Sequence, residues 1–162
     1  MAAQGHGAEG IAQIHQGLAA LRAAGVELGR AHWLALLAEA YGYVGQTHEG
    51  LNVLAEALAA VHHHGGRWWE AELYRLRGEL LLHVAAQQEE VEACLQQALA
   101  VAHRQQAKSL ELRAALSLSR LWQQQGKRAE AHELLAEVYG WFTEGFDTAD
   151  LQEAKALRDA LA

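Results

Sequence analysis

Residues 68–83 read WWEAELYRLRGELLLH, and the apolar residues in and just beyond them are spaced as on a helix. Trp69, Leu73, Leu76, Leu80 and Val84 recur at intervals of three and four, forming one stripe along a 3.6-residue turn. Gly78 interrupts that helix, although glycine in a helix interior costs about 1 kcal/mol relative to alanine. A glycine suits such a point when a neighbouring helix comes too close for a Cβ.

Outward from this stretch the same kind of segment recurs. Toward the N-terminus, a helix is expected from Glu9, with Ile11, Ile14, Leu18 and Leu21 on one face and Gly25 as its stop. A second, over about 29–44, turns Leu34, Leu37, Tyr41 and Val44 inward. After the Gly45-Gln46 turn, Thr47 reads as the N-cap of a third helix. It carries Leu51, Leu54, Leu58 and Val61 and ends near His64-Gly65-Gly66. Toward the C-terminus, a fifth helix follows Ala86-Gln87-Gln88 and carries Val91, Leu95, Ala98, Leu99 and Ala102. The sixth, 107–124, holds Leu110, Ala114, Leu118, Leu121 and Trp122 and stops at Gly126. The seventh, 128–141, uses Ala131, Leu134, Leu135 and Val138. A loop over 143–146 leads to a last helix, with Asp147 as its N-cap and Asp150 in its first turn, where negative charge suits the dipole. Leu151, Ala154, Leu157 and Leu161 form its inner face.

Overlaying the helices exposes a period. Gly10, Gly50, Val91 and Ala131 fall in one column, Ile14, Leu54, Leu95 and Leu135 in a second, and Gly17, Ala57, Ala98 and Val138 in a third. Every column has spacings of 40, 41 and 40 residues. The first helices of each pair align through Tyr41, Leu81 and Trp122, with Ala38, Gly78 and Ser119 three residues earlier. Small residues let helices touch and large ones fill the space between, the signature of stacked helix pairs. The expected fold is all-α: a right-handed α-solenoid of antiparallel helix pairs, about eight helices, with a period near 40 residues. Residues 1–8 read as a flexible N-terminus. A single repeat domain fills 9–162, divided into a half repeat over 9–25, pairs over 29–64, 67–105 and 107–141, and a capping helix over 147–161.

Composition agrees and narrows the function. The 162 residues hold no proline, fifteen glycines and 51% hydrophobic residues, and carry a formal charge of −7 without a basic run. Phosphate binding needs a clustered basic face, so nucleic acid is not the expected partner. No apolar run approaches a membrane span, and the first ten residues lack a signal peptide's basic and apolar regions. The single Cys94 excludes an internal disulfide and suits a reducing cytoplasm.

The columns resemble the tetratricopeptide repeat. Its pattern of a large residue, leucine, small residue, aromatic and turn glycine, then small–large–small, matches Leu34, Leu37, Ala38, Tyr41, Gly45, Gly50, Leu54 and Ala57. It matches again at Ala115, Leu118, Ser119, Trp122, Gly126, Ala131, Leu135 and Val138. The central repeat departs from it: Arg77 and Gly78 precede Leu81, the turn has no glycine, and it is one residue longer. The terminal proline of the motif is absent. RWWEAELYRLRGELLL, YGYVGQTHEGLNVLAEAL and above all the tail FTEGFDTADLQEAKAL resemble the C-terminal repeats of large bacterial signalling proteins. There a class III adenylate/guanylate cyclase or other output domain precedes an AAA/STAND-type ATPase, and tetratricopeptide-like repeats follow. That resemblance implies the sensor or partner-binding end of such a protein, with neither cyclase nor ATPase residues in this chain.

Catalytic and cofactor motifs are not found. His62-His63-His64 are adjacent, about 100° apart around a helix, and cannot converge as i and i+4 ligands do. No His-x-x-x-His, Glu-x-x-His, phosphate-loop or Gly-x-Ser-x-Gly pattern occurs. No cofactor, metal site or enzyme activity is expected. Cys94 reads as packing, Trp69 as core, Trp68 as surface or helix-end packing, and Trp141, Phe142 and Phe146 as the anchor of the last loop.

Function is expected in the groove lined by the first helix of each pair. The register assigns it His32, Ala35, Glu39 and Tyr43; then Glu72, Arg75, Glu79 and His83; then Arg113, Leu116, Arg120 and Gln123. A lining of mixed charge fits an extended peptide or protein segment better than a polyanion. The bland alternative is that Glu72, Arg75 and Glu79, spaced i+3 and i+4, simply pair as solvated helix surface. The first helix has the phase of a second pair member. Its outer flank is left for self-association, including a homodimer, while small-effector sensing is a further alternative role.

Overall fold

The computed structural model describes residues 7–26, 29–64, 67–84 and 86–162, with the side chains of His62, His63 and His64 outside that description. The described residues form eight α-helices and no strand: α1 Gly7–Ala23, α2 Arg30–Tyr43, α3 Thr47–His64, α4 Glu70–His83, α5 Gln88–Arg104, α6 Lys108–Gln124, α7 Arg128–Tyr139 and α8 Ala149–Leu161. A 3-10 turn, Arg67–Trp69, leads into α4.

Each helix stands where the alanine–leucine columns require it. α2 lies along α3, α4 along α5 and α6 along α7, and each pair meets the next through α3–α4, α5–α6 and α7–α8. The first helices also touch one another in the series α2–α4, α4–α6 and α6–α8. The core is therefore a chain of local clusters. One gathers Leu34, Leu54, Leu58, Leu73 and Leu80, the next Leu81, Val91, Leu95, Leu118 and Leu121, and the last Leu112, Leu116, Leu135, Leu151 and Ala154. This is the quasi-one-dimensional packing of a solenoid.

The turns repeat as well. Gln46 N donates to Tyr41 O at 2.9 Å and Lys127 N to Trp122 O at 2.8 Å, each across a left-handed glycine, Gly45 (φ 76°) and Gly126 (φ 80°). That bond closes the helix end on carbonyls with no other partner. Ala107 N makes the same bond to Ala102 O at 3.0 Å, but the left-handed residue there is Gln106, at φ 55°.

Gly78 is the packing contact its place in the stripe predicts: a Cβ there would sit 2.8 Å from Leu95 Cγ and Cδ2. Cys94 is buried in the same cluster, and burial pushes its thiol up from its ordinary pKa.

Several expectations are corrected. α1 begins at Gly7, so helix reaches into the stretch read as the flexible start; residues 1–6 lie outside the described residues, as do 65 and 66 and with them the end foreseen near His64-Gly65-Gly66. Ala85, the last residue of the helix expected over 67–85, lies outside them too. Thr47 is the first residue of α3 rather than its cap, since Gly50 N already donates to Gln46 O at 3.1 Å. The cap of α8 is Thr148, extended at ψ 147°, with its hydroxyl donating to Gly145 O at 2.8 Å; Asp147 lies one residue too early. Trp141 does not anchor the last loop. It is among the most exposed large residues, with the Lys108 ammonium 4.0 Å above its ring, while Phe142 packs into the core and Phe146 lies against Tyr139.

Candidate functional site

α2, α4, α6 and α8 share one face, and ion pairs cross it from α4 to α6 and, separately, from α6 to α8. Arg75 of α4 is its centre and is only 6% exposed. Its Nε donates to Glu72 Oε2 at 2.9 Å and its Nη2 to Glu72 Oε1 at 2.7 Å, a two-pronged pair with a carboxylate one turn earlier on the helix. The other arm of the guanidinium bonds Glu79 and reaches Ser117 Oγ of α6 at 3.4 Å. Ser117 in turn donates to Glu79 at 2.7 Å, and Arg113 of α6 contacts Glu72 at 3.0 Å. Arg120, one helical turn beyond Ser117, pairs with Glu153 of α8. Polar contacts thus join α4 to α6, and a separate ion pair joins α6 to the last helix.

Electrostatics fit this geometry. Burial alone would make Arg75 less basic, but Glu72 and Glu79 more than compensate and hold its charge firmly. Glu39 of α2 faces the same network without a direct bond to it. Burial pushes its carboxyl above the ordinary range, an effect that Arg75 and Arg113 only partly offset. The face therefore combines a neutralised ion network with one half-buried carboxylate that is only partly compensated.

The register brings together Glu39, Glu72, Arg75, Glu79 and Arg113, and Arg120 extends the series. It misplaces others. Leu116 is 3% exposed and belongs to the core beneath α8, and Ala35 is buried as well. Glu72 and Arg75 point inward and saturate each other instead of facing outward. The reason is geometric: each first helix is flanked by its own partner, the preceding pair and the next first helix, so a narrow stripe remains for solvent. Tyr43 (64% exposed) and His83 sit exposed on the last residues of α2 and α4, and Gln123 is half-buried near the end of α6. His32 lies away from the ion network, in an aromatic patch. Its ring is 4.9 Å from Trp69 and 6.3 Å from Trp68, and its buried Nδ1 has no hydrogen-bond partner.

Two participants escaped the sequence reading. Ser117 falls four residues after Arg113 and three before Arg120, on the same stripe, and its short polar side chain was the available signal. Glu153 follows from carrying the same register one helix further, into α8.

Two carboxylates elsewhere are structural clamps. Glu92 accepts from Trp122 Nε1 at 2.9 Å and Lys127 Nζ at 3.2 Å, and the tryptophan bond first, then the lysine, holds its pKa low against burial. Burial would raise Glu111, yet Lys108 at 2.7 Å and His103 at 2.8 Å outweigh it and keep that carboxyl low. Among the described residues no group of three His, Cys, Asp or Glu side chains is placed to hold a metal ion, and no helix is long and apolar enough to cross a membrane.

No family model matches the chain, and no curated protein matches it. Among solved structures it is similar to a Podosopora anserina protein assigned as a kinesin light chain with nearly identical TPR-like repeats. The TM-score is 0.70 at 18% identity, over 99% of this chain and 79% of that one. A second crystal structure, of a point variant of that protein, matches with a TM-score of 0.69, at the same identity and coverage. At that identity the likeness establishes the fold: the chain is a TPR-like helical repeat.

Proposed function

We propose that the chain is a non-catalytic protein-interaction scaffold that takes an extended peptide or partner segment along the face shared by α2, α4, α6 and α8. The observation that carries this reading is Glu39. Its half-buried carboxylate stands beside the ion network of α4 and α6, and Arg75 and Arg113 offset its burial only in part, which suits a cationic or hydrogen-bonding partner. Tyr43, His83, Arg113, Arg120 and Gln123 supply the accessible contacts along the rest of the face. Glu72, Arg75 and Glu79 hold the platform rigid, which lowers the ordering cost of binding.

The test is selection of random peptides on the immobilised chain, followed by calorimetric titration of those enriched. Glu39→Lys combined with Arg120→Glu should abolish capture while leaving the melting temperature within a few degrees of the parent. Peptides that bind the double variant equally well would sink the groove reading. Arg75 is unsuited to this test, because its substitution attacks the fold.

The wider context is also a proposal. The likeness of the RWWEAELYRLRGELLL and FTEGFDTADLQEAKAL segments to repeats of bacterial cyclase–ATPase signalling proteins supports a cytoplasmic sensor role, relaying partner binding to such a domain. A native reading frame without either domain would remove it. A second reading, self-association, is favoured by one observation: among the described residues the outer flank of α1 is open where the same flank of α3, α5 and α7 is covered.

A further inference from the structure

The repeat holds an internal comparison for Glu39. In the register that aligns Ala38, Gly78 and Ser119, the next column is Glu39, Glu79 and Arg120, all half-buried on first helices. Two of the three are matched inside the chain. Glu79 is bonded by the guanidinium of Arg75, one turn earlier, and by the Ser117 hydroxyl of the next first helix at 2.7 Å. Arg120 pairs with Glu153 of α8. Among the described residues no hydrogen bond or ion pair reaches Glu39. The cause lies in what fills the two partner positions. The position of Arg75 is taken in α2 by Ala35, and that of Ser117 is taken in α4 by Leu76. Both are buried in one apolar cluster. Glu39 thus has a methyl and an isobutyl group where Glu79 has a guanidinium and a hydroxyl. The charges on this part of the face agree. Three carboxylates, Glu39, Glu72 and Glu79, stand against two guanidiniums, Arg75 and Arg113, and both of those bond carboxylates other than Glu39. One cation is missing.

We infer that the partner segment supplies it: an arginine side chain of the bound peptide pairs with Glu39, doing between α2 and α4 what Arg75 does for Glu79 between α4 and α6. This deepens the groove-binding reading and rests on it. Arginine suits the place better than lysine for two reasons. A guanidinium is more weakly hydrated than an ammonium, so entering a half-buried site costs it less. Its planar fork can also bond both oxygens of Glu39, neither of which is engaged within the chain. The formal charge of −7 favours the approach of a basic segment over an acidic one.

The experiment is a double-mutant cycle on peptides enriched by selection against the parent chain. Each arginine of an enriched peptide is replaced in turn by citrulline, which keeps the shape and removes the charge. Every peptide is titrated calorimetrically against the parent and against Glu39→Gln. One arginine should cost about tenfold in Kd against the parent and less than about twofold against Glu39→Gln. Lysine at that position should recover only part of the loss. Glu133→Gln, exposed on α7 and outside the face, removes the same charge and should behave as the parent does. Enriched peptides without arginine, or citrulline losses equal in the parent and Glu39→Gln, overturn the pairing while leaving the scaffold reading standing. So does a Glu133→Gln variant that erases the loss as Glu39→Gln does, since the effect would then be one of overall charge. Full recovery by lysine overturns the guanidinium assignment. A chain that enriches no peptide overturns the scaffold reading and this inference with it.

Discussion

Arg75 and Glu72 form a two-pronged pair on α4, at 2.9 and 2.7 Å, with each residue less than a tenth exposed. Their spacing of three residues is that of countless surface pairs. What makes this one different is its surroundings, since α6 closes over it through Ser117 and Arg113. Breaking such a pair from one side leaves a buried charge without its partner. Arg75→Ala should therefore destabilise the chain by about 3 kcal/mol in urea unfolding. Replacing both, Arg75→Met with Glu72→Met, should recover most of that loss, because burying two apolar chains avoids the desolvation penalty. A loss in the double variant equal to the sum of the two single-variant losses would show that the pair is not coupled.

Gly78 and Gly17 are both interior helix glycines and should respond in opposite ways. Gly78→Ala drives a Cβ to 2.8 Å from Leu95 Cγ, a branch point that cannot swing aside. The clash outweighs the gain in helix propensity, giving a net loss of about 1 kcal/mol. Gly17→Ala meets nothing and should gain about 0.5–1 kcal/mol. Both should be measured at concentrations low enough to keep copies apart. A stabilised Gly78→Ala would mean that α4 and α5 are not in close contact.

Gln106 holds φ 55° at the turn between α5 and α6, where the turns after α1, α2 and α6 place glycine. A side chain there costs about 1 kcal/mol of strain. Gln106→Gly should raise the unfolding free energy by several tenths to about 1 kcal/mol, the remainder going to the freer unfolded chain. Thermal melting reads it directly, and a lower midpoint would refute the strain.

Glu39 makes stability depend on pH with an unusual sign. Burial holds its folded pKa above the ordinary carboxylate value, so between those two values the folded chain holds a proton that the unfolded chain has released. Its contribution to stability therefore falls as pH rises through that window. Glu92 and Glu111, both lowered, act oppositely: their contribution is complete above the ordinary carboxylate range and is lost as pH drops through their folded values. Glu39→Gln should stabilise the chain slightly at neutral pH and make the acid side of its stability profile steeper. It should also weaken capture of any cationic peptide selected on the face. An unchanged profile would mean that Glu39 is well solvated.

The architecture was legible because it is repetitive. Small residues at Ala38, Gly78 and Ser119, and large ones at Leu54, Leu95 and Leu135, report the same contact three times, so each column confirms the next. Helix ends were legible to within one or two residues wherever glycine marked a left-handed turn. Two starts were misread by one residue: at α3, where Thr47 is already helical, and at α8, where neighbouring Asp147 and Thr148 both suit a cap and backbone geometry selects the threonine. The site was legible as a stripe but not as a set of roles. Nothing in the periodicity of α4 distinguishes Glu72 and Arg75, which are buried, from His83, which is exposed. Nor does α6 announce that Leu116 lies beneath α8.

By itself, then, the sequence determined the helices, their pairing and the 40-residue period, because these follow from spacing along one chain. The tertiary structure alone decided which charges are buried against each other, and which apolar flank has no neighbour. Burial is set by what other helices bring to a position. Arg75 is buried where α6 brings Ser117, 42 residues away, within 3.4 Å, and α1 is packed on one side by α2 while its other flank has no neighbour among the described residues.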